Sequence, residues 1–565
     1  MRIMAQQASV PLNYEWIQES EARMVNAKGF DLSPRLLRYD ADTLLRVLSL
    51  PDSVKAESES VYAWPLQTSM RPWIERGHVL RLNVIMQNAN DRRYEKTGYY
   101  KKGWLRRYHV NQSLIEIDRK AQNGEPAFRL YINPMLNLQK YALQNDTSTE
   151  NLYINTRGVT ARGDIGSKIS FETSFWENQA YFPAYIDSFA LKYGVIPGQG
   201  RWKKFGTTGY DFASASGYIS YTPARFLNIQ AGNGKFFVGD GYRSLLLSDN
   251  SFNYPYARIT TWFGPAQNIQ YSVIYASLMN LSGGGVPVPT GTERLFQKKP
   301  AAFQQLAVKI ARIAEISLFQ GVIWHHTGPN NKQSFDFNYF NPVIFTSLPV
   351  KGLNDTRDNY LIGATFRVDL LRTLSVYGQY MLDSKGESKS PQAKNGLQAG
   401  VKYFNAFTLK HLHLQAELNK VSPFAYAHAD STQAYTHYNQ PLAHPLGANF
   451  TEINASLQYK WNDIYLHARI VNATAGKDSS GTNYGHDIFR SDNSATIVSS
   501  SLPGVESKLT SLDLQLGYMI SYASNLNIAL GYTARTIVRN GVSSETSFIY
   551  FAFRTSLTNA YFDFF

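Results

Sequence analysis

The chain of 565 residues contains no cysteine. That single absence excludes a disulfide framework, a thiolate metal centre and thiol nucleophile chemistry. The chain also has no run of about 18 apolar residues, the minimum for a membrane-spanning helix. Its overall balance is mildly polar. Neither property excludes a transmembrane β-barrel, in which every second residue of a strand faces the lumen. Catalytic signatures are missing as well: there is no GxSxG elbow, no Walker loop and no HExxH helix. The serines and histidines form no spacing that marks a hydrolase, so a non-enzymatic protein is expected. His325 and His326 are adjacent, and His411 and His413 share a strand face, but no further ligands accompany them. Asp240, Asp249 and Asn250 offer oxygen ligands without the spacing of a calcium loop. No metal and no cofactor is expected.

Aromatic residues are abundant, with 37 Tyr and 32 Phe. Lipid-facing girdles of barrels consume rings of this kind, although soluble β-sandwiches and propellers are also rich in them. The formal charge is +13. Such a balance suits nucleic acid, anionic lipid or acidic polysaccharide. The densest basic run comprises Arg92, Arg93, Lys96, Lys101, Lys102, Arg106 and Arg107, interleaved with Tyr94, Tyr99, Tyr100, Trp104 and Tyr108. No nucleic-acid-binding module surrounds it, so a solvated or membrane-surface segment is expected, and no nucleic-acid partner.

From Phe128 onward the hydropathy alternates with a period of two. Leu512, Leu514, Leu516, Tyr518 and Ile520 point one way; Ser511, Asp513, Gln515, Gly517 and Met519 point the other. The pattern recurs in Leu412–Asn419, Ile464–Ile470 and Leu526–Thr533. Glu417, Arg469 and Asp513 all fall on the polar side. A lysine or arginine on the lipid face at mid-membrane costs about 2–4 kcal/mol, so a bilayer enforces this sidedness. Connection lengths alternate too. Eight short links, such as Asn462–Asp463 and Tyr522–Asn525, are separated by nine long ones, among them Lys235–Tyr254, Val421–Ala448, Ala473–Lys508 and Val538–Glu545. Tight periplasmic turns and long external loops are the plan of an outer-membrane barrel. The expectation is an all-β fold, a transmembrane up-and-down antiparallel barrel of about 18 strands. Its loops would be exposed at the surface of a Gram-negative cell, its termini would both be periplasmic, and its wall would contact outer-membrane lipid.

Residues 1–125 differ. Trp16, Ile17, Met24 and Val25 have helical spacing, and Ser33-Pro34 opens a second apolar stripe through Leu36, Leu37, Leu44, Leu45 and Val47. A small periplasmic helical and irregular segment is expected there, ahead of a barrel over 126–557. Met1–Gln6 reads as the tail of a truncated export signal. Ser547–Arg554 reads as the last strand, followed by an aromatic tail over 558–565 that ends Tyr561-Phe562-Asp563-Phe564-Phe565.

The loops are more distinctive than the strands. Gly234–Tyr256 reads GKFFVGDGYRSLLLSDNSFNYPY, with Asp240, Tyr242, Arg243, Asp249 and Asn250 able to bind sugar hydroxyls or one another. Tyr435–Phe450 reads YTHYNQPLAHPLGANF, where Tyr435, His437, Tyr438, Asn439, Gln440 and His444 combine rings with amides, a mixture suited to carbohydrate. Both segments are equally compatible with loops that merely satisfy their own backbone groups. Together with ENQAYFPAYI (Glu177–Ile186), VIPGQG (Val195–Gly200) and FDFNYFNPVIF (Phe335–Phe345), they resemble the Wzi-like capsule-assembly family of outer-membrane barrels, and most closely its RemB-like gliding-motility members from Bacteroidota. The resemblance implies an 18-stranded barrel, a periplasmic helical element and a surface role. That role would be attachment or assembly of capsular polysaccharide, or gliding, with gliding or secretion machinery as a further partner. A porin or transporter is the competing class.

Overall fold

The structure is a computed structural model describing residues 115–564, apart from segments that fall mainly in connections, including 121–125, 145–150, 282–295, most of 325–357, 385–392 and 556–560. The two helices expected before residue 50 and the basic run over 92–107 lie outside the described residues. The first described strand, β1 (Ile115–Lys120), runs antiparallel to β2 (Pro126–Gln144). Next come β3 (Tyr153–Ile165), β4 (Ile169–Tyr181), helix α1 (Ala184–Tyr193), β5 (Lys203–Phe205), β6 (Gly209–Ala224) and β7 (Leu227–Gly234). The wall continues through β8 (Tyr254–Phe263), β9 (Ile269–Asn280), β10 (Gln297–Ile310), β11 (Ala314–Ile323), β12 (Asn359–Leu371), β13 (Leu374–Asp383), β14 (Asn395–Phe404) and β15 (Leu412–Val421). A two-stranded ribbon, β16 (Thr436–His437) with β17 (Gln440–Pro441), sits inside the following connection. The last five strands are β18 (Phe450–Trp461), β19 (Ile464–Lys477), β20 (Val505–Ser521), β21 (Leu526–Arg539) and β22 (Val542–Arg554).

Every neighbouring pair in the wall is antiparallel, and β22 pairs with both β21 and β2. The sheet therefore closes into a barrel of 18 strands, as the alternation predicted. Two short strands are additional. β1 covers Pro126–Ile132 of β2, beyond the point where β22 ends opposite Asn137. β5 pairs with Gly209–Asp211 of β6. Closure removes the exposed edges that an open sheet would present.

Sidedness follows the period of two. Leu514, Leu516, Ile528, Leu530 and Phe551 are exposed on the outer face, while Gln515, Glu417 and Asn419 are buried inside. A one-residue slip would turn the charges to the outside, which pins the register. Short turns gather at one end of the barrel, where β2 begins and β22 ends; the long connections gather at the other. Two connections depart from expectation. Ala473–Lys508 is shorter, since β19 runs to Lys477 and β20 begins at Val505, and Val538–Glu545 is no loop, because only Asn540 and Gly541 separate β21 from β22. Both have positive φ, 51° and 78°. An Asn-Gly pair of this kind makes the two-residue turn whose twist matches that of the flanking strands, so β22 starts five residues earlier than predicted.

The apolar core lies within the barrel rather than between layers. Leu245, Leu246 and Leu247 are fully buried against Ile274, Leu278, Phe303 and Phe319 of the wall and against Tyr426, Tyr435 and Leu442 from another loop. A second cluster seats α1 through Ile186 and Ala190 against Phe182, Tyr210 and Phe212. Gly194, at φ 71°, ends α1 and returns its N–H to the Ala190 carbonyl.

Candidate functional site

The connection 235–253 folds into the lumen, and inward-facing residues on three adjacent strands grip its backbone. Gln379 of β13 makes a paired contact: its Nε2 donates to the Val238 carbonyl at 2.8 Å, and its Oε1 accepts from the Leu245 N–H at 2.8 Å. Gln398 of β14 donates to the Arg243 carbonyl at 2.9 Å. Glu417 of β15 accepts from the N–H groups of Tyr242 and Arg243 at 2.8 and 3.1 Å, and from the Tyr377 hydroxyl at 2.7 Å. Two glycines make this approach possible. A Cβ on Gly239, where φ is +123°, would lie 1.7 Å from Gln379 Nε2, and one on Gly241 would lie 2.3 Å from Glu417 Oε2. Only glycine tolerates that backbone at that distance.

Arg243 is the electrostatic centre of the loop. Its Nη2 lies 3.1 Å from Glu452 Oε1 and 2.9 Å from Asp563 Oδ1, all within a buried environment. Burial opposes the charge of the guanidinium, but Asp563 and Glu452 outweigh it and hold its pKa above the ordinary arginine range. Such a pair tolerates loss of water only when its remaining lone pairs are also bonded. The carboxylate side meets it: Glu452 Oε2 accepts from Asn419 Nδ2 and from His444 Nε2, both at 2.9 Å. Burial lowers the His444 pKa despite the neighbouring Glu452. A neutral ring with its proton on Nε2 fits both contacts, because Nδ1 accepts from the Leu446 N–H at 3.2 Å. Three residues before Arg243 in the loop, Asp240 faces Arg367 at 3.5 Å.

The second segment locks onto the first. Ser248 N–H donates to the Leu442 carbonyl at 2.7 Å, and Asn250 Nδ2 to the Pro441 carbonyl at 3.1 Å. Tyr435 stacks on Tyr426 and meets Phe303 edge-on. His437 Nδ1 accepts from the Met279 N–H at 2.9 Å, and burial pulls its pKa down to about 3. Tyr438 and Asn439 form the positive-φ turn of the β16–β17 ribbon. Asn439 donates to the Tyr193 carbonyl at the end of α1, and Gln440 donates to the Gln199 carbonyl while accepting from the Gly198 N–H. Asn449 clamps a third connection through the carbonyls of Gly476 and Pro503 at 2.6 and 2.8 Å.

The structure thus brings Arg243 and His444 together on Glu452, and Asp249 and Asn250 beside the ribbon. Asp240, Tyr242, Arg243, Asp249, Asn250, Tyr435, His437, Gln440 and His444 are buried; Tyr438 and Asn439 are half-buried. Tyr193, whose carbonyl accepts from Asn439, is half-buried as well; Trp202 is half-buried against Ala190 of α1 and Tyr210, and Lys192 of α1, Arg201, and Lys203 and Lys204 of β5 are exposed. That basic and aromatic group was not among the residues singled out from the sequence. Nor were the inward clamps Gln379, Gln398 and Glu452, whose signal is only a polar residue at an inward position; Glu417 stood out only as a charge on the polar face. The third addition is the segment Tyr561–Phe564. Its residues lie in the lumen: the Tyr561 hydroxyl donates to Asp249 at 2.7 Å, and Arg535 donates to the Phe564 carbonyl at 2.5 Å. Among the described residues no group of acidic and histidine side chains is arranged to hold a metal.

A model of the family described as "Capsule assembly protein Wzi" matches residues 139–546. No curated protein sequence matches the chain. Among solved structures, Wzi of Escherichia coli shares 12% identity, with 97% of this chain and 100% of that chain covered and a TM-score of 0.52. That protein is described as an outer-membrane protein involved in group 1 capsule assembly and as a carbohydrate-binding β-barrel. OccAB2 of Acinetobacter baumannii shares 9% identity over 75% of this chain and 97% of its own, at a TM-score of 0.42.

Proposed function

We propose that this chain, which belongs to the Wzi capsule assembly family, is an outer-membrane barrel that binds surface polysaccharide on a rigid loop platform. The carrying observation is the interior: three loop leucines and their aromatic partners fill the lumen with packed apolar side chains. A porin needs the opposite, a polar water-filled passage. The outward band of leucine and isoleucine suits membrane lipid. The alternation of short and long connections favours external loops and periplasmic termini.

With the segment Tyr561–Phe564 in place, the buried members of the two loop segments act as the frame. Glycan contact falls to the half-exposed rings and amide at the long-loop end, Tyr193, Trp202, Tyr438 and Asn439, beside Lys192, Arg201, Lys203 and Lys204. Rings offer an apolar surface to a sugar face, and a few placed polar groups set its orientation. The finer role in gliding rests on the likeness of the loop strings to RemB-like proteins, and a motility or secretion complex would then be a partner.

Deletion of the gene, followed by staining of surface polysaccharide and measurement of spreading, tests the proposal. The expected result is polysaccharide shed from the cell. Unchanged retention would overturn the binding role, and unchanged spreading would overturn the gliding role.

A further inference from the structure

Residues Tyr561–Phe564 belong to no strand, yet they occupy a cleft between the 235–253 loop, the wall strands β19 and β21, and α1. Three guanidinium groups converge there. Arg243 contacts Asp563 Oδ1 at 2.9 Å. Arg469 donates to the Tyr242 hydroxyl at 2.9 Å and lies 3.9 Å from the centre of its ring. Arg535 lies 4.2 Å from the centre of the Tyr185 ring. The Tyr242 hydroxyl in turn donates to Asp563 Oδ2 at 3.0 Å. The Asp563 carboxylate is therefore held at both oxygens, by one guanidinium and one phenol. Aromatic surface flanks it: Phe564 packs on Phe189 at 4.8 Å and on Tyr185 at 6.0 Å.

A two-point carboxylate cradle bordered by rings is the recognition chemistry for a six-membered sugar that carries a carboxylate. We propose that this cleft is a subsite for an acidic glycan residue of the hexuronate class, and that the chain's own Tyr561–Phe564 is its resident competitor, with Asp563 standing where the sugar carboxylate would sit. The idea rests on the polysaccharide-binding reading and adds the substrate class and a self-occupied state. Charge supports it. The chain carries an excess of 13 positive charges, and the wall supplies two of the three arginines from inward strand positions. Displacement of the segment gives up the Arg243 and Tyr242 contacts to Asp563, the Tyr561–Asp249 and Arg535–Phe564 bonds and the ring packing of Phe564; an entering uronate restores the carboxylate contacts and its sugar face replaces part of the ring packing, so occupancy depends on glycan concentration.

The test uses the full chain in nanodiscs, with oligogalacturonate as the acidic probe and a maltooligosaccharide of equal length as the neutral one. In Asp563→Asn, which keeps shape and removes charge, calorimetric affinity for oligogalacturonate should rise at least tenfold while that for maltooligosaccharide stays unchanged. Since the chain has no native cysteine, a nitroxide on Phe562→Cys reports the segment alone. Its spectrum should become mobile on saturation with oligogalacturonate and stay fixed with the neutral sugar. Unchanged affinity in Asp563→Asn, a label that stays immobile, or an equal response to both sugars would overturn the subsite. Polysaccharide retention in the deletion experiment is a separate readout, so failure here leaves the surface-binding role standing.

Discussion

Replacing Glu417 by glutamine isolates the contact that holds the inserted loop in place. The carboxylate accepts five hydrogen bonds: from the Tyr242 and Arg243 N–H groups, from Tyr377, and from the amides of Asn419 and Asn454 at 2.9 and 3.2 Å. Oε2 takes two of them and Oε1 takes three. A glutamine keeps one acceptor oxygen and turns the other position into a donor, so whichever way the amide points, at least two bonds are lost and donors face donors. Hydrogen bonds to charged groups are worth about 1.5–3 kcal/mol each, which puts the loss at about 3–6 kcal/mol. The barrel wall does not depend on this residue for its ladder, since β15 keeps its backbone pairing with β14 and β18. The loss should therefore appear as local opening of the loop. Hydrogen exchange resolved over residues 240–248 is the assay, and the protection of Tyr242 and Arg243 should fall by roughly 10²- to 10⁴-fold. Protection that stays at the wild-type level would refute the clamp.

Three further outcomes follow from the same geometry. His437 and His486 are held neutral by burial, with pKa values pulled down to about 3 from an ordinary 6.5, and His444 is lowered as well. Unfolded histidines take up protons first, so the loops' contribution is complete above pH 6.5 and drains away as pH falls towards 3; limited proteolysis across that range should show the loops opening, and a flat profile would contradict it. Asn449→Ala removes the amide that ties Pro503 of the 478–504 connection, and Gly476 of β19, to the residue before β18, at a cost of about 1–3 kcal/mol for carbonyls left unpaired. Protease should then cut within 478–504 first, and cutting elsewhere would count against it. In planar bilayers the wild-type protein should show no large steady conductance, because Leu245–Leu247 and their partners fill the lumen; a sustained open pore would contradict that.

The wall was legible in the sequence because a bilayer imposes a strict period of two, and Leu514, Leu516 and Leu530 obey it wherever they face outward. Turn positions were legible for the same reason: the pattern breaks at Asn462–Asp463 and at Tyr522–Asn525. Asn540-Gly541 is a tight turn that reads as a longer loop, although the dipeptide itself carries the signal; the polar residues around it, Arg539 and Ser543–Glu545, mask the alternation. The inserted loop was legible only as a distinctive string. Its partners were not, since Glu417 lies more than 170 residues from Tyr242, and an inward polar residue does not announce which loop it will bind. Arg243 and His444 stood out as candidates separately, but their common carboxylate, Glu452, reads as an ordinary inward strand residue. The segment Tyr561–Phe564 read as an aromatic tail, and its four residues alone do not reveal that Asp563 finds an arginine inside the barrel.

Binding of surface polysaccharide by the purified full chain tests the central claim most directly. Glycan extracted from the surface of the producing cells should bind immobilised protein saturably. Binding should weaken at least tenfold in the double substitution Trp202→Ala with Tyr438→Ala, which removes two half-exposed rings from the long-loop end. Absence of binding by the wild-type protein, or binding indifferent to both rings, would contradict the platform.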